Sequence, residues 1–168
     1  MIVNQGDLLK ASPLEPMLVE KRKLHGVSHG LSEAGYDIRI KQDIIFEPTR
    51  DTHNHPSGIK LLLDSVELSG RFAIASAIEK FTMPNDLVGV VHDKSTWARK
   101  GLSVFNTVIE PGFRGGLTLE LVYHGVEHLH IPSGAGIAQI LFSRIGVPVE
   151  YNGKYQDQSS EPVDSIFL

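Results

Sequence analysis

The sequence predicts an all-β sandwich or barrel, and three observations carry that expectation. From Ile59 onward the chain breaks into short apolar-rich segments, at residues 59–63, 71–81, 87–92, 116–123, 127–131 and 137–144. Turn-forming groups separate them: Leu68-Ser69-Gly70, Met83-Pro84-Asn85-Asp86, Pro111-Gly112 and Pro132-Ser133-Gly134. Short strands punctuated in this way belong to closed or stacked antiparallel sheets. Helical character is confined to two brief stretches, residues 3–11 and 94–100.

Taken in order, residues 3–11 read as a short helix with Asn4 as N-cap and Leu8 and Leu9 facing inward. Residues 12–32 mix Pro, Gly and His and read as loop. Alternation in Gly35-Tyr36-Asp37-Ile38-Arg39-Ile40 predicts a strand. Residues 47–58 are polar without periodicity and read as a second loop. After the strands at 59–92, residues 94–100 break the β pattern and allow about two helical turns. In Leu117-Thr118-Leu119-Glu120-Leu121 the leucines share one strand face, and Thr118 and Glu120 share the other. Residues 151–168 are polar, a tail expected to be ordered only by a ligand or a neighbour.

A chain of 168 residues with 41% hydrophobic and 21% charged content fits one globular domain spanning 1–168. No apolar run approaches the ~20 residues of a membrane span, and no signal peptide is evident at the N-terminus. The absence of cysteine excludes disulfide and thiolate chemistry and fits a cytoplasmic location. A net charge of −4 argues against a nucleic-acid-coating protein. We therefore expect neither membrane nor nucleic acid as a partner.

Chemistry concentrates between His92 and Leu121. Lys94, Ser95, Thr96 and Arg99 form a hydroxyl-plus-cation group, and Ser95 and Arg99 share one face of a helical turn. A hydroxyl beside a guanidinium can hold a water, stabilise an oxyanion or bind phosphate oxygens. Trp97 reads as a core or interface residue. Glu110 precedes a Gly/Pro turn, Pro111-Gly112-Phe113-Arg114-Gly115, and Glu120 follows on its strand. Glu120 is either solvated or pointed into a polar site. In the tail, Tyr151 precedes Lys154-Tyr155-Gln156-Asp157-Gln158. The pairs His53/His55 and His128/His130 have no convincing third metal ligand and read as surface or core histidines.

The arrangement S-T-W-A-R, then E-P-G-F-R-G, then L-E resembles the dCTP deaminase branch of the dUTPase-like superfamily. The resemblance runs in order over most of residues 35–158 and includes Tyr-Asp-Ile-Arg at 36–39 and the K-Y-x-x-Q element at 154–158. It implies a distorted jelly-roll or β-barrel with one or two short helices, assembled as a homotrimer with active sites at subunit interfaces. The implied reaction is hydrolytic deamination of dCTP to dUTP and ammonia, with Mg²⁺ carried by the triphosphate and no metal site in the protein. Zinc-dependent nucleobase deaminases need cysteine ligands, so with none here a carboxylate must activate the water.

By the same resemblance Glu120 takes a proton from the water attacking C4 of cytosine, which requires a carboxyl in a partly desolvated site. Ser95 and Arg99 serve the reacting centre, while Lys94, Ser95 and Thr96 serve the triphosphate. Tyr151, Lys154 and Gln158 belong to a C-terminal tail, residues 151–168, that folds over bound nucleotide. Asp37 and Arg39 take a structural role, as an ion pair at a subunit contact. The hairpin between Arg99 and Glu110, which frames the base, is a residue or two shorter than the family pattern and carries Phe105, Asn106 and Thr107 at its tip. Asn106 either reads the base edge or makes the turn. Glu110 stands where the superfamily usually has aspartate, the acid that activates water on the α-phosphate in dUTPases and contacts the sugar 3′-hydroxyl in deaminases. Its extra methylene leans against in-line phosphate hydrolysis. The rival readings are a bifunctional dCTP deaminase/dUTP diphosphatase yielding dUMP, a dUTP diphosphatase alone, and a non-catalytic nucleotide-binding domain.

Overall fold

The computed structural model describes residues 1–167. Strand β1 (Ile2–Val3) and helix α1 (Gln5–Ala11) open the chain. Leu8 is fully buried and Leu9 packs against the core, as the helical spacing requires. Asn4 occupies the N-cap position, but its side-chain amide donates to the Glu33 carbonyl (2.8 Å) instead of capping the helix.

Residues 12–32 are not a loop. They hold β2 (Leu14–Glu15), β3 (Lys21–Leu24) and β4 (Val27–Leu31). The β3–β4 hairpin turns on His25-Gly26, both at positive φ (53° and 77°), the pattern of a tight two-residue turn. β3 is exposed along its whole length and forms a sheet edge, so its Lys-Arg-Lys-Leu sequence has no buried face to alternate against. After β5 (Tyr36–Arg39) come β6 (Ile44–Arg50) and β7 (Pro56–Leu63). Most of the expected polar loop at 47–58 is therefore hairpin, with Glu47 opposite Lys60 and Thr49 opposite Gly58. Its tip is held by the Asp51 carboxylate, which accepts the N–H groups of His53 (2.8 Å) and His55 (2.9 Å).

The remaining elements are β8 (Val66–Ser69), β9 (Phe72–Thr82), β10 (Leu87–Asp93), α2 (Ser95–Ala98), β11 (Leu102–Val104), β12 (Val108–Ile109), β13 (Arg114–Tyr123), β14 (Leu129–Ile131) and β15 (Gly136–Arg144). Three antiparallel sheets result. One runs β12-β10-β15-β5-β4-β3 with β1 beside β15, the second β11-β13-β9-β2, the third β14-β6-β7-β8. A bridge from Ile40 to Ala77 stitches the first to the second. Leu119 and Leu121 of β13, Ala75 of β9, and Ile140 and Phe142 of β15 meet in one core with no solvent exposure. Each fully buried leucine or isoleucine contributes about 1.5–3 kcal/mol of transfer free energy. The architecture is the all-β, curled jelly-roll-like arrangement the sequence predicts. Among the described residues no helix is long and apolar enough to cross a membrane.

A cleft around Glu120

The alternation of β13 decides which side chains reach the site. Leu119 and Leu121 point into the core, so Thr118 and Glu120 point the other way. That face borders a cleft of about 440 Å³, bounded by β9, the 107–113 segment and the C-terminal tail. Ile74 stands directly across from Glu120 on β9, and the Glu120 carbonyl accepts the Phe105 N–H (2.9 Å). Phe72 and Val108 add to the apolar wall. In these surroundings Glu120 is half-buried, and burial raises its carboxyl pKa above the ordinary glutamate value.

Glu110 lines the same cleft from an exposed position at the end of β12. Its carbonyl accepts the Phe113 N–H (3.1 Å), closing the turn through Pro111 and Gly112. Thr107 also lines the cleft, whereas Asn106 is exposed at the hairpin tip outside it.

Helix α2 is a single turn, shorter than the expected residues 94–100. Its anchor is Trp97, buried in the core with its indole N–H donating to the Gly136 carbonyl (2.6 Å). With Trp97 inward, Ser95, Thr96 and Arg99 are left exposed, and none of them lines the cleft. Lys94 turns inward to pair with the buried carboxylate of Asp37, which also accepts the Ser28 hydroxyl (3.2 Å). Arg39 instead bonds the fully buried Glu79 through Nε (2.8 Å) and its backbone N–H (2.9 Å). Burial pushes the Glu79 carboxyl pKa up despite these bonds. Asp37 and Arg39 thus do not pair with each other, since each finds an opposite charge inside its own subunit.

The tail is also ordered differently from expectation, by its own subunit. The Tyr151 N–H donates to the Pro111 carbonyl (2.8 Å), and Gln158 forms a parallel bridge with Gly115. Tyr151, Tyr155, Gln158, Val163 and Ser165 all line the cleft. Lys154 does not: its ammonium donates a hydrogen bond to the Ile166 carbonyl and sits 5.3 Å from the Tyr155 ring centre. Of the histidine pairs, His53 and His55 sit at the β6–β7 tip with ring centres 6.4 Å apart. His130 bonds Asp43 (2.9 Å).

The structure therefore gathers Glu120, Glu110, Thr107, Tyr151 and Gln158 and leaves Ser95, Thr96, Arg99, Asn106, Lys94 and Lys154 outside. Sequence reasoning missed Thr118, which the alternation that exposes Glu120 also points outward. It missed the apolar wall of Phe72 and Ile74 as well, because only the β9–β13 register brings it to Glu120. Among the described residues the cleft is lined by two carboxylates and by no lysine or arginine.

A family model described as dCTP deaminase-like matches residues 17–145. The dCTP deaminase of Campylobacter fetus subsp. fetus (strain 82-40) is 36% identical over 158 residues, covering 86% of this chain and 85% of that one. The dCTP deaminase of Campylobacter hominis is 34% identical over 163 residues, covering 89% and 86%. Among solved structures, a mutant dUTPase of phage phi11 of S. aureus, described with a structural Mg(II) ion, superposes with a TM-score of 0.51. The match covers 83% of this chain and 92% of that one at 16% identity, a likeness of fold alone. A second mutant phage dUTPase, from phage 80alpha, gives a TM-score of 0.51 over 84% of this chain and 87% of its own, also at 16% identity. With the family model spanning most of the chain and relatives at least a third identical matched along most of their length, this protein belongs to the dCTP deaminase-like family.

Proposed function

We propose that the protein catalyses the zinc-independent hydrolytic deamination of dCTP to dUTP and ammonia. The observation that carries this reading is the half-buried Glu120 carboxyl, its pKa raised by burial, on the apolar-walled side of a cleft large enough for a nucleoside. Glu120 takes a proton from water as the oxygen attacks C4 of the base. Glu120 passes that proton to the ring nitrogen, then takes the remaining proton from the C4 hydroxyl and delivers it to the amine, so that C4=O forms as the C4–N bond breaks and ammonia leaves. A carboxyl that changes protonation twice in one cycle benefits from a pKa lifted toward the working pH.

A triphosphate needs cations that the lining of this cleft lacks. We infer a homotrimer in which α2 of a neighbouring copy brings exposed Ser95, Thr96 and Arg99 to the cleft. Ser95 and Arg99 would hold the water and the developing oxyanion, and Ser95 and Thr96 the phosphates. Lys94 joins them only by leaving Asp37, and Lys154 only by releasing the Ile166 carbonyl. Tyr151 and Gln158 wall the nucleotide, Thr107 faces the base, Asn106 makes the exposed hairpin tip, and Glu110 takes the sugar 3′-hydroxyl. Mg²⁺ enters as the counter-ion of the triphosphate, as part of the substrate. We assign the reaction to the cytoplasm, in keeping with a cysteine-free chain.

The bifunctional reading has one observation in its favour: Glu110 lines the same cleft as Glu120. A single assay separates the two. With Mg²⁺ present, dCTP should yield ammonia and dUTP, and dUTP supplied alone should yield little dUMP or pyrophosphate. Rapid dUMP formation from dUTP would establish the bifunctional enzyme instead. Glu120→Gln should lose at least ~10²-fold in kcat while binding dCTP almost as tightly, because an amide keeps the size but cannot act as a base. Near-normal turnover by that variant would remove Glu120 from the mechanism.

A further inference from the structure

Tyr151 and Tyr155 of the tail pack against the core, but the polar stretch that follows them is also ordered, and polar bonds to the body of the protein hold it there. Between β5 and β6, Lys41 reaches it directly and Gln42 reaches it through Ser76 of β9. The buried Gln42 accepts the Ser76 backbone N–H at Oε1 (2.8 Å) and donates from Nε2 to the Ser76 hydroxyl oxygen (3.1 Å). With its oxygen occupied in this way, the Ser76 hydroxyl directs its own proton to the Ser160 carbonyl (3.0 Å). The Lys41 ammonium donates to the same carbonyl (3.2 Å) and pairs with Glu161. One tail carbonyl thus takes two donors from elements far away in sequence.

The neighbouring backbone is shaped for the same purpose. The Gly116 N–H donates to the Gln158 carbonyl (3.0 Å) and the Asp157 N–H to the Arg114 carbonyl (2.8 Å). A Cβ on Gly116 would lie 2.1 Å from the Ser159 carbonyl oxygen, and the three atoms nearest to it all belong to the tail. Past the held stretch, the Val163 N–H bonds Thr118 Oγ1 (3.1 Å), which brings Val163 and Ser165 to the cleft wall beside Glu120.

We propose that Lys41, Gln42 and Ser76 form a clamp that positions the C-terminal segment as a preformed wall of the nucleotide cleft and so sets nucleotide affinity. The proposal rests on the functional reading above. Gln42 and Ser76 are positioning residues, since none of their atoms lines the cleft. A tail ordered in advance spares the nucleotide the cost of ordering it. Loosening the clamp should therefore raise KM and leave kcat alone.

Two full-length variants test this. Ser76→Ala removes the clamp hydroxyl, and Gly116→Ala pushes on the tail, to which the three atoms nearest its Cβ belong. Hydrogen exchange of the amides at 157–163 is followed without nucleotide, and dCTP turnover is measured in parallel. We expect exchange in that segment to accelerate in both variants, with KM for dCTP rising roughly five- to tenfold, the value of one net hydrogen bond, at unchanged kcat. Exchange unchanged in both variants would overturn the clamp. Faster exchange with an unchanged KM would overturn its link to the nucleotide. If the wild type turned over no dCTP the functional reading would fall, while the exchange measurement would still decide the clamp.

Discussion

Glu120, the base we propose, illustrates how little of a side chain's surroundings can be read from the residue itself. Its alternation with Leu119 and Leu121 is legible in the sequence and puts it on the face away from the core. What desolvates it is not legible, because Ile74 and Phe72 reach its side of the sheet only through the pairing of β9 with β13. Desolvation raises its pKa, and a general base must be deprotonated to accept a proton from water. Activity should accordingly fall as pH drops through the raised Glu120 pKa, with the acid limb of the kcat/KM profile above the ordinary glutamate range. An acid limb within that range would mean that the limiting group is not Glu120. Lys94 shows the opposite limit. Its neighbours in sequence mark it for phosphate, but its partner Asp37 lies 57 residues away and no local pattern reveals the pair.

At the scale of elements, the long strands with a continuous apolar face were readable, whereas β4, buried but interrupted by Ser28, His29 and Gly30, and the exposed strands β3 and β8 were not. β9, β10, β13 and β15 each pack apolar residues on the core, so their periodicity survives in the sequence. β3 and β8 are exposed throughout, and the polar arms of the β6–β7 hairpin carry little core burden. Their pairing rests on backbone hydrogen bonds and turn geometry, which hydropathy does not record. The tail belongs with this second group: it follows β13 through backbone bonds at Gly115 and Gly116 without an apolar pattern of its own. Removing the chain after Tyr151 should raise KM for dCTP at least tenfold and leave the β-sheet circular dichroism and the oligomer intact, since the core leucines of β13 keep their partners. A truncated chain that fails to fold would show instead that the tail is part of the structural core.

For the whole molecule, the fold was legible in the sequence, and so was the strand that carries Glu120 to the cleft, but the separation of Glu120 from the turn at 95–99 was not. Among the described residues the cleft that holds Glu120 is lined by no lysine or arginine, and Ser95, Thr96 and Arg99 stand exposed outside it, on a turn held by Trp97. Sequence order places the two groups within thirty residues of each other, which suggests a single cluster. The register of β11 against β13 and the inward anchoring of Trp97 separate them within one chain. Our account closes the site by bringing α2 of one copy to the cleft of the next, as a cyclic oligomer with a repeated head-to-tail interface allows. The most direct measurement is ammonia release from dCTP by a remixed pair of inactive variants, Glu120→Gln and Arg99→Ala, dissociated together and reassembled in equal amounts. One interface type in the mixture then pairs an intact Glu120 with an intact Arg99, so about a quarter of wild-type activity should return. A mixture that reassembles into the native oligomer yet stays as inactive as its parents would contradict a site shared between copies.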